Sequence, residues 1–182
     1  MTILRDLLAP NLTVVFCGTA VSKASARRRA YYAGPGNAFW PILFKVGMTP
    51  RLFRPEEYKS LKRYGLGLTD LVKEVSGSDN ILSREHFDPK RLRTKILKYR
   101  PRVIAFTSKR AAEEFLGRPV EYGLLREKIG DTALFVLPSP SSAARGHWKG
   151  NPWRELARLK KTFQEQATFP ILSAQGAGRF VR

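Results

Sequence analysis

The sequence predicts an α/β fold of three layers, α/β/α, around a central, mainly parallel sheet. Three observations carry that expectation. Short apolar runs of strand length recur along the chain: Val14-Val15-Phe16-Cys17, Val103-Ile104-Ala105-Phe106 and Ala133-Leu134-Phe135-Val136-Leu137. Segments with helical spacing of apolar residues separate them, the order that joins parallel strands through crossover helices. The 182 residues contain no internal repeat and suffice for one domain with a real core. That domain is expected over 1–166, with 167–182 as a loosely held, glycine-containing tail.

Met1 to Leu12 reads as a short lead-in, broken at Pro10-Asn11. The first strand is expected to stop at Gly18, with Gly18-Thr19-Ala20-Val21-Ser22 as a turn and Lys23 to Arg29 as a basic loop. Apolar spacing from Phe39 to Met48 predicts a helix over about Ala38 to Val46, with Asn37 as N-cap and Gly47 as stop. Pro55 followed by Glu56 and Glu57 starts the next helix, which Gly65 ends. Gly65 to Val72, with two glycines, reads as extended or irregular, and Ser76 to Asn80 as a loop. Pro89 to Tyr99 is a basic amphipathic helix with Leu92, Ile96 and Leu97 inward. Lys109 to Leu116 is another, with Ala111, Ala112, Phe115 and Leu116 on one side. Ala133 to Leu137 is the last clear strand, and Trp153 to Phe163 the closing helix.

The chain carries 33 Lys and Arg against 15 Asp and Glu, a formal net charge of +18. That excess favours a polyanionic partner, nucleic acid first and an anionic membrane surface second. A merely soluble basic protein is the plainer alternative, disfavoured because the basic residues cluster near the proposed site. The membrane surface is weakened by the want of a cationic amphipathic helix at a terminus. The single cysteine, Cys17, reads as a buried structural thiol in a reducing compartment. With one cysteine and two distant histidines, His86 and His147, no metal site is expected, and no other cofactor is implied. No apolar run is long enough to span a bilayer, and the N-terminus lacks a signal-peptide pattern. The expected setting is the bacterial cytoplasm at the nucleoid, and the expected state a monomer.

Two loops follow the carboxyl ends of strands, Gly18 to Tyr32 and Ser139 to Arg145. In a parallel sheet such ends point the same way, so both loops should face one cleft. The turn after Gly18 can present backbone N–H groups to an acceptor. Tyr32, in a loop among glycines and prolines, offers a flat ring for a base, whereas Phe39 and Trp40 read as core. Ser22, Lys23, Ser141, Ser142, Ala143, Arg145 and His147 are the candidate backbone contacts. Such parts suit a protein that holds one nucleotide outside its stack.

Three motifs, in this order, carry a resemblance: Tyr32-Ala33-Gly34-Pro35-Gly36-Asn37-Ala38-Phe39-Trp40, then Tyr64-Gly65-Leu66-Gly67-Leu68-Thr69-Asp70-Leu71-Val72, then Leu137-Pro138-Ser139-Pro140-Ser141-Ser142. Over roughly Val14 to Arg145 the chain resembles the mismatch-specific uracil-DNA glycosylase and thymine-DNA glycosylase branch of the uracil-DNA glycosylase superfamily. The resemblance implies that superfamily's α/β fold and a monofunctional, metal-free base excision. It matches Gly18 and Thr19 to the pocket turn and Tyr32 to the aromatic that stacks on the flipped base. It makes Asn37 a cap and loop brace more than a catalyst, and Ser139 to Arg145 the loop that enters the duplex. It also exposes departures. Ala20 stands where that branch has the asparagine that positions water, as it does in another branch. Ser139, or Leu137 in a register shifted by two, takes the place of a histidine or asparagine. The wedge, Pro140 to Ala143, is small, and only Arg145 is bulky enough to occupy the vacated stack.

Asp70 is the polar residue that could compensate for Ala20. In a pocket it would orient water and favour the sugar cation, or read a base N–H and widen the range to hypoxanthine. The competing reading makes it an N-cap or surface carboxylate. Serine hydroxyls and Arg145 on the phosphates complete the expected mechanism. Uracil excision from DNA is the leading reading. A lesion-recognising protein with weak or no catalysis is the first rival. A nucleotide-binding α/β enzyme is the second, disfavoured because Gly18 to Ser22 is neither a dinucleotide fingerprint nor a P-loop.

Overall fold

The computed structural model of the chain describes residues 2–77, 81–142 and 150–168. Ala143, Arg145 and His147, the 78–80 part of the loop after Ser76, and nearly all of the expected tail lie outside these residues. Among the described residues five strands form one sheet: β1 (Val14–Ala20), β2 (Leu66–Val72), β3 (Val103–Phe106), β4 (Gly123–Ile129) and β5 (Thr132–Val136). Their spatial order is β2-β1-β3-β5-β4. All pairs are parallel except the edge pair β4–β5. Helices α1 (Lys23–Arg28), α2 (Phe39–Lys45), α3 (Pro89–Tyr99), α4 (Lys109–Leu116) and α5 (Asn151–Thr168) complete the α/β arrangement. Among the described residues no helix is long and apolar enough to cross a membrane.

The alternation of side chains along β1 makes the layers. Val14 and Phe16 point into one apolar cluster with Phe39, Trp40 and Leu43 of α2 and Trp153 of α5. Val15 and Cys17 point into a second, with Leu92 and Ile96 of α3 and Ala112 and Phe115 of α4. A strand stretch buried against apolar clusters on both faces needs a near-continuous apolar run, which is what Val14 to Cys17 supply.

Several local expectations are corrected. The first strand does not stop at Gly18 but runs to Ala20, pairing Gly18 with Asp70 and Ala20 with Val72. The basic segment from Lys23 is a helix, not a loop, because the Ser22 hydroxyl caps it by accepting from the Ser25 N–H at 3.1 Å. Of the two readings of Gly65 to Val72, extended or irregular, the extended one holds: Leu66–Val72 is the fully buried strand β2. Its Gly67 marks close approach: a Cβ there would lie 2.6 Å from the Leu7 carbonyl oxygen. The lead-in therefore packs on β2, with Leu7 and Leu68 exchanging backbone bonds of 2.8 and 3.0 Å. Asn37 is not the cap of α2. Ala38 holds that position, and the Asn37 side chain accepts from the Phe39 N–H at 3.0 Å from one residue further out.

Pro55–Tyr64 winds as a 3₁₀ helix. Helix α3 keeps its expected span, capped by Asp88, but Leu97 faces solvent, since Leu92 and Ile96 alone share the inward stripe. Strand β4 was missed because its polar residues face out at a sheet edge, where apolar alternation is not required. The closing helix is longer at both ends than Trp153 to Phe163.

Candidate active site

The strand order places the cleft. From β1 the chain steps to β2 on one side and returns to β3 on the other, so strand order reverses between β1 and β3. Open α/β sheets bind ligands in the crevice beyond the carboxyl ends of such strands. Here that crevice is a cleft of about 1080 Å³. Gly18, Thr19 and Ala20 line it from the end of β1, Ser22 and Lys23 from the start of α1, Tyr32 and Asn37 after α1, Asp70 from β2, Thr107 and Ser108 after β3, and Ser139 and Ser141 after β5. Ser142 is exposed outside this lining. Leu137 is fully buried in the core, so the shifted register for the last loop is unavailable to a ligand, and Ser139 is the residue that reaches the cleft.

Indole anchors fix the two loops. The Trp40 Nε1–H donates to the Tyr31 carbonyl at 3.1 Å, and the Trp153 Nε1–H donates to the Pro138 carbonyl at 3.1 Å. The Ala38 N–H donates to the Pro140 carbonyl at 2.8 Å, which ties the loops to each other. Two serines and an arginine of these segments carry structural bonds. Ser25, buried, accepts from the Ala33 N–H at 3.0 Å. Ser139 accepts from the Ser141 N–H at 3.2 Å. Arg28 reaches the Ala33 carbonyl at 2.9 Å and Glu56 at 2.7 Å.

Tyr32 has φ +53°, a left-handed conformation uncommon for a bulky side chain. Two contacts hold it there. Its ring stacks on Phe39 with centroids 3.8 Å apart at 14°, and its hydroxyl meets the Thr107 hydroxyl at 3.2 Å. One ring face is thus covered by the core, and the ring borders the cleft with what remains. Burial, then the Asp70 charge, pushes the phenol far up, so it stays protonated. Tyr32→Phe is expected to cost about 1 kcal/mol for the lost hydrogen bond. Tyr32→Ala, which also removes the stacked ring, should cost at least about 2 kcal/mol more. Urea unfolding of both variants measures the difference.

Asp70 is neither an N-cap nor a surface carboxylate. It lies in β2 opposite Gly18 with its side chain 3% exposed. Its Oδ2 accepts from the Lys73 ammonium at 3.0 Å. Its Oδ1 sits against Gly18, 2.9 Å from where a Cβ would stand, with the Tyr32 and Thr107 hydroxyls beside the same point at 3.5 and 3.8 Å. Glycine is therefore required at position 18 by space: three polar groups converge there. Burial pushes the Asp70 carboxyl above the usual carboxylate range, against the opposing pull of Lys73. Burial, then the Asp70 charge, raises the Cys17 thiol well above its ordinary value, which leaves it unreactive.

The backbone adds a donor. The Cys17 carbonyl accepts from the Thr107 N–H at 3.0 Å, so alternation along the strand turns the Thr19 N–H to the β3 side and the Gly18 N–H to the β2 side. Thr19, beyond the last β1–β3 pair, thus offers its N–H toward the crevice, while Gly18 contributes space. Ala20 lines the cleft without a polar side chain.

Thr107, Ser108, Lys73 and Tyr31 were not singled out in the sequence. The first two carried a readable signal: a Thr-Ser pair between an apolar strand and a helix is an N-cap signature, and Ser108 accepts from the Ala111 N–H at 3.1 Å. His86 braces a short 3₁₀ turn, accepting from the Ser83 N–H at 3.1 Å, away from the cleft. Among the described residues no three of His, Cys, Asp and Glu converge to hold a metal ion.

The family described as the Uracil DNA glycosylase superfamily matches residues 5–163, which include every described residue of the cleft. Among solved structures, the chain is similar to the solution structure of a candidate uracil DNA glycosylase from Methanosarcina acetivorans. The TM-score is 0.58 at 23% identity, over 88% of this chain and 96% of that one.

Proposed function

Because this chain belongs to the uracil DNA glycosylase superfamily, we propose that it is a monofunctional DNA glycosylase that extrudes a deaminated base, uracil first among them, into the β1–β3 cleft and hydrolyses its glycosidic bond. The observation that supports this best is the convergence of Asp70 Oδ1 and the Tyr32 and Thr107 hydroxyls on the side-chain-free point at Gly18. In the reaction the C1′–N bond breaks and its electron pair leaves with the base. Water oxygen bonds to C1′, and the water proton passes to Asp70 or solvent. The Thr19 N–H meets the developing negative charge on the base oxygen. The Asp70 carboxylate orients the water and favours the cation-like sugar, the task for which Ala20 has no group.

DNA is the partner of this reading, with the protein acting as a monomer in the bacterial cytoplasm. Beside the cleft a basic groove of about 410 Å³ is lined by Lys45, Arg154, Arg158 and Lys161 and by no carboxylate. Lys45 and Ser139 to Ser141 also line the apolar hollow of about 210 Å³ that lies between groove and cleft. A duplex entering the cleft would find cations along its flank.

The test is single-turnover excision from oligonucleotides holding uracil, thymine, hypoxanthine or xanthine, in single strands and opposite each partner base. Pro140, Ser141 and Ser142 make a small wedge, and unpairing costs a few kcal/mol in a matched duplex but less in a mismatch or single strand. Uracil should therefore leave single strands and U·G pairs faster than U·A pairs. No abasic product from any substrate would leave a lesion-binding protein instead. Equal rates in the three contexts would remove the small wedge from the mechanism.

A further inference from the structure

Lys73 is the buried charge that the cleft itself does not explain. Its side chain is 2% exposed at the end of β2. All three of its donor directions are used: Asp70 Oδ2 at 3.0 Å, the Tyr31 hydroxyl at 3.0 Å and Asp6 Oδ1 at 2.8 Å. Asp6 is held in turn by Lys95 at 2.6 Å through Oδ2 and by the Thr69 hydroxyl at 2.9 Å. Asp6 and Lys95 line a separate hollow of about 420 Å³ beside α3. A line of alternating charges thus runs from the cleft floor to another surface, Asp70 to Lys73 to Asp6 to Lys95. Stability alone is a poor reason for it, since an apolar residue of similar volume commonly serves as well as a buried ion pair.

We propose that Lys73, braced by Asp6 and Tyr31, is a positioning residue that keeps the buried Asp70 carboxylate ionised and turned so that Oδ1 faces Gly18 and the cleft. By occupying Oδ2 alone, Lys73 leaves Oδ1 for water. The inference rests on the reading of Asp70 as the water-orienting group. The ionisable groups around Asp70 come from every neighbouring element: Lys73 from the end of β2, Asp6 from the N-terminal segment, Tyr31 and Tyr32 from the segment after α1, Cys17 from β1 and, behind Asp6, Lys95 from α3. Burial and then Asp70 push the Tyr31 hydroxyl far up, and Tyr32 and Cys17 are likewise raised, so all three stay neutral. Lys73 favours the Asp70 charge and Asp6 opposes it. Lys73 itself stays charged, because Asp70 and Asp6 outweigh the burial that acts against it.

Two substitutions must then act in opposite directions. Ionised Asp70 is the active form, so excision falls as pH drops through its pKa. Lys73→Met should move that acid limb to higher pH by roughly one to three units. Asp6→Asn, which removes a like charge, should move it to lower pH. The limb is read from single-turnover excision of uracil from single-stranded DNA, and the Asp70 carboxyl carbon is titrated by ¹³C NMR in the same folded proteins. Lys73→Gln replaces Lys73→Met should the latter not fold. A limb and an NMR midpoint that stay in place in the folded Lys73 variant, or that move the same way in both variants, overturn the proposal. Asp70→Asn separates the two levels: wild-type excision in that variant defeats the catalytic reading of Asp70, while the NMR order still decides whether Lys73 governs its charge.

Discussion

Asp70→Asn is expected to lower single-turnover excision at least tenfold, where full loss of a general-base or water-orienting group typically costs roughly 10²–10⁴, while DNA affinity stays close to that of the unsubstituted protein. The variant keeps the size of the side chain and an acceptor toward Lys73, so the cleft keeps its shape. What it loses is the charge: a carboxylate stabilises a cation-like sugar and an amide does not. Fold retention is itself expected on physical grounds. Burial raises the Asp70 pKa, so the folded protein binds more protons at this site than the unfolded chain. Ionising the group therefore costs stability as pH rises from the unfolded pKa through the folded one, and a neutral Asn avoids that cost. Excision rates at saturating enzyme, beside fluorescence anisotropy for binding, measure both halves. Unchanged excision removes Asp70 from the mechanism.

Gly18→Ala should be nearly as damaging to excision, by a different route. Position 18 has no positive φ, so the backbone accepts alanine. Space does not, because the new methyl would stand 2.9 Å from Asp70 Oδ1. Asp70 is anchored through Oδ2 to Lys73 and cannot retreat without breaking that bond. The methyl also fills the point on which the Tyr32 and Thr107 hydroxyls converge. A displacement of about 1 Å at a reacting centre is worth on the order of 10²-fold in rate. Single-turnover excision should fall at least about tenfold, with a loss of about 1–3 kcal/mol of stability from the overpacking. A variant that excises like the parent would show that this crowding is not part of the chemistry.

Much of the fold was legible because its interior is made of strands buried on both faces. Val14 to Cys17, Val103 to Phe106 and Ala133 to Val136 are continuous apolar runs, and such runs admit few other interpretations. Helices α3 and α4 were legible from apolar spacing, Leu92 with Ile96 and Ala111 and Ala112 with Phe115, while their caps Asp88 and Ser108 emerge only in the structure. What stayed hidden was structure whose reason lies elsewhere in the chain. Gly67 looks like a strand breaker until Leu7 is seen crossing above it. Gly18 looks like the start of a turn, because glycine signals both turns and close approach, and only the partner strand shows which. The pairing of Asp70 with Lys73 was within reach as an i, i+3 spacing, yet in a strand that spacing puts side chains on opposite faces. Lys73 meets Asp70 because β2 ends at Val72 and the chain leaves the sheet there. The joining of Asp6, distant in sequence, to the same ammonium follows from the pairing of Leu7 with Leu68.

The cleft reading is tested most directly by a crystal structure of the protein with a single-stranded oligonucleotide bearing 2′-fluoro-2′-deoxyuridine, whose fluorine slows formation of the sugar cation and preserves the bound state. The uracil ring should lie between Tyr32 and the Thr19 N–H, with the sugar C1′ and an ordered water beside Asp70 Oδ1 and the flanking phosphates toward Lys45 and Arg158. A base that stays stacked in the strand, or DNA held on another face with the β1–β3 cleft empty, would contradict it.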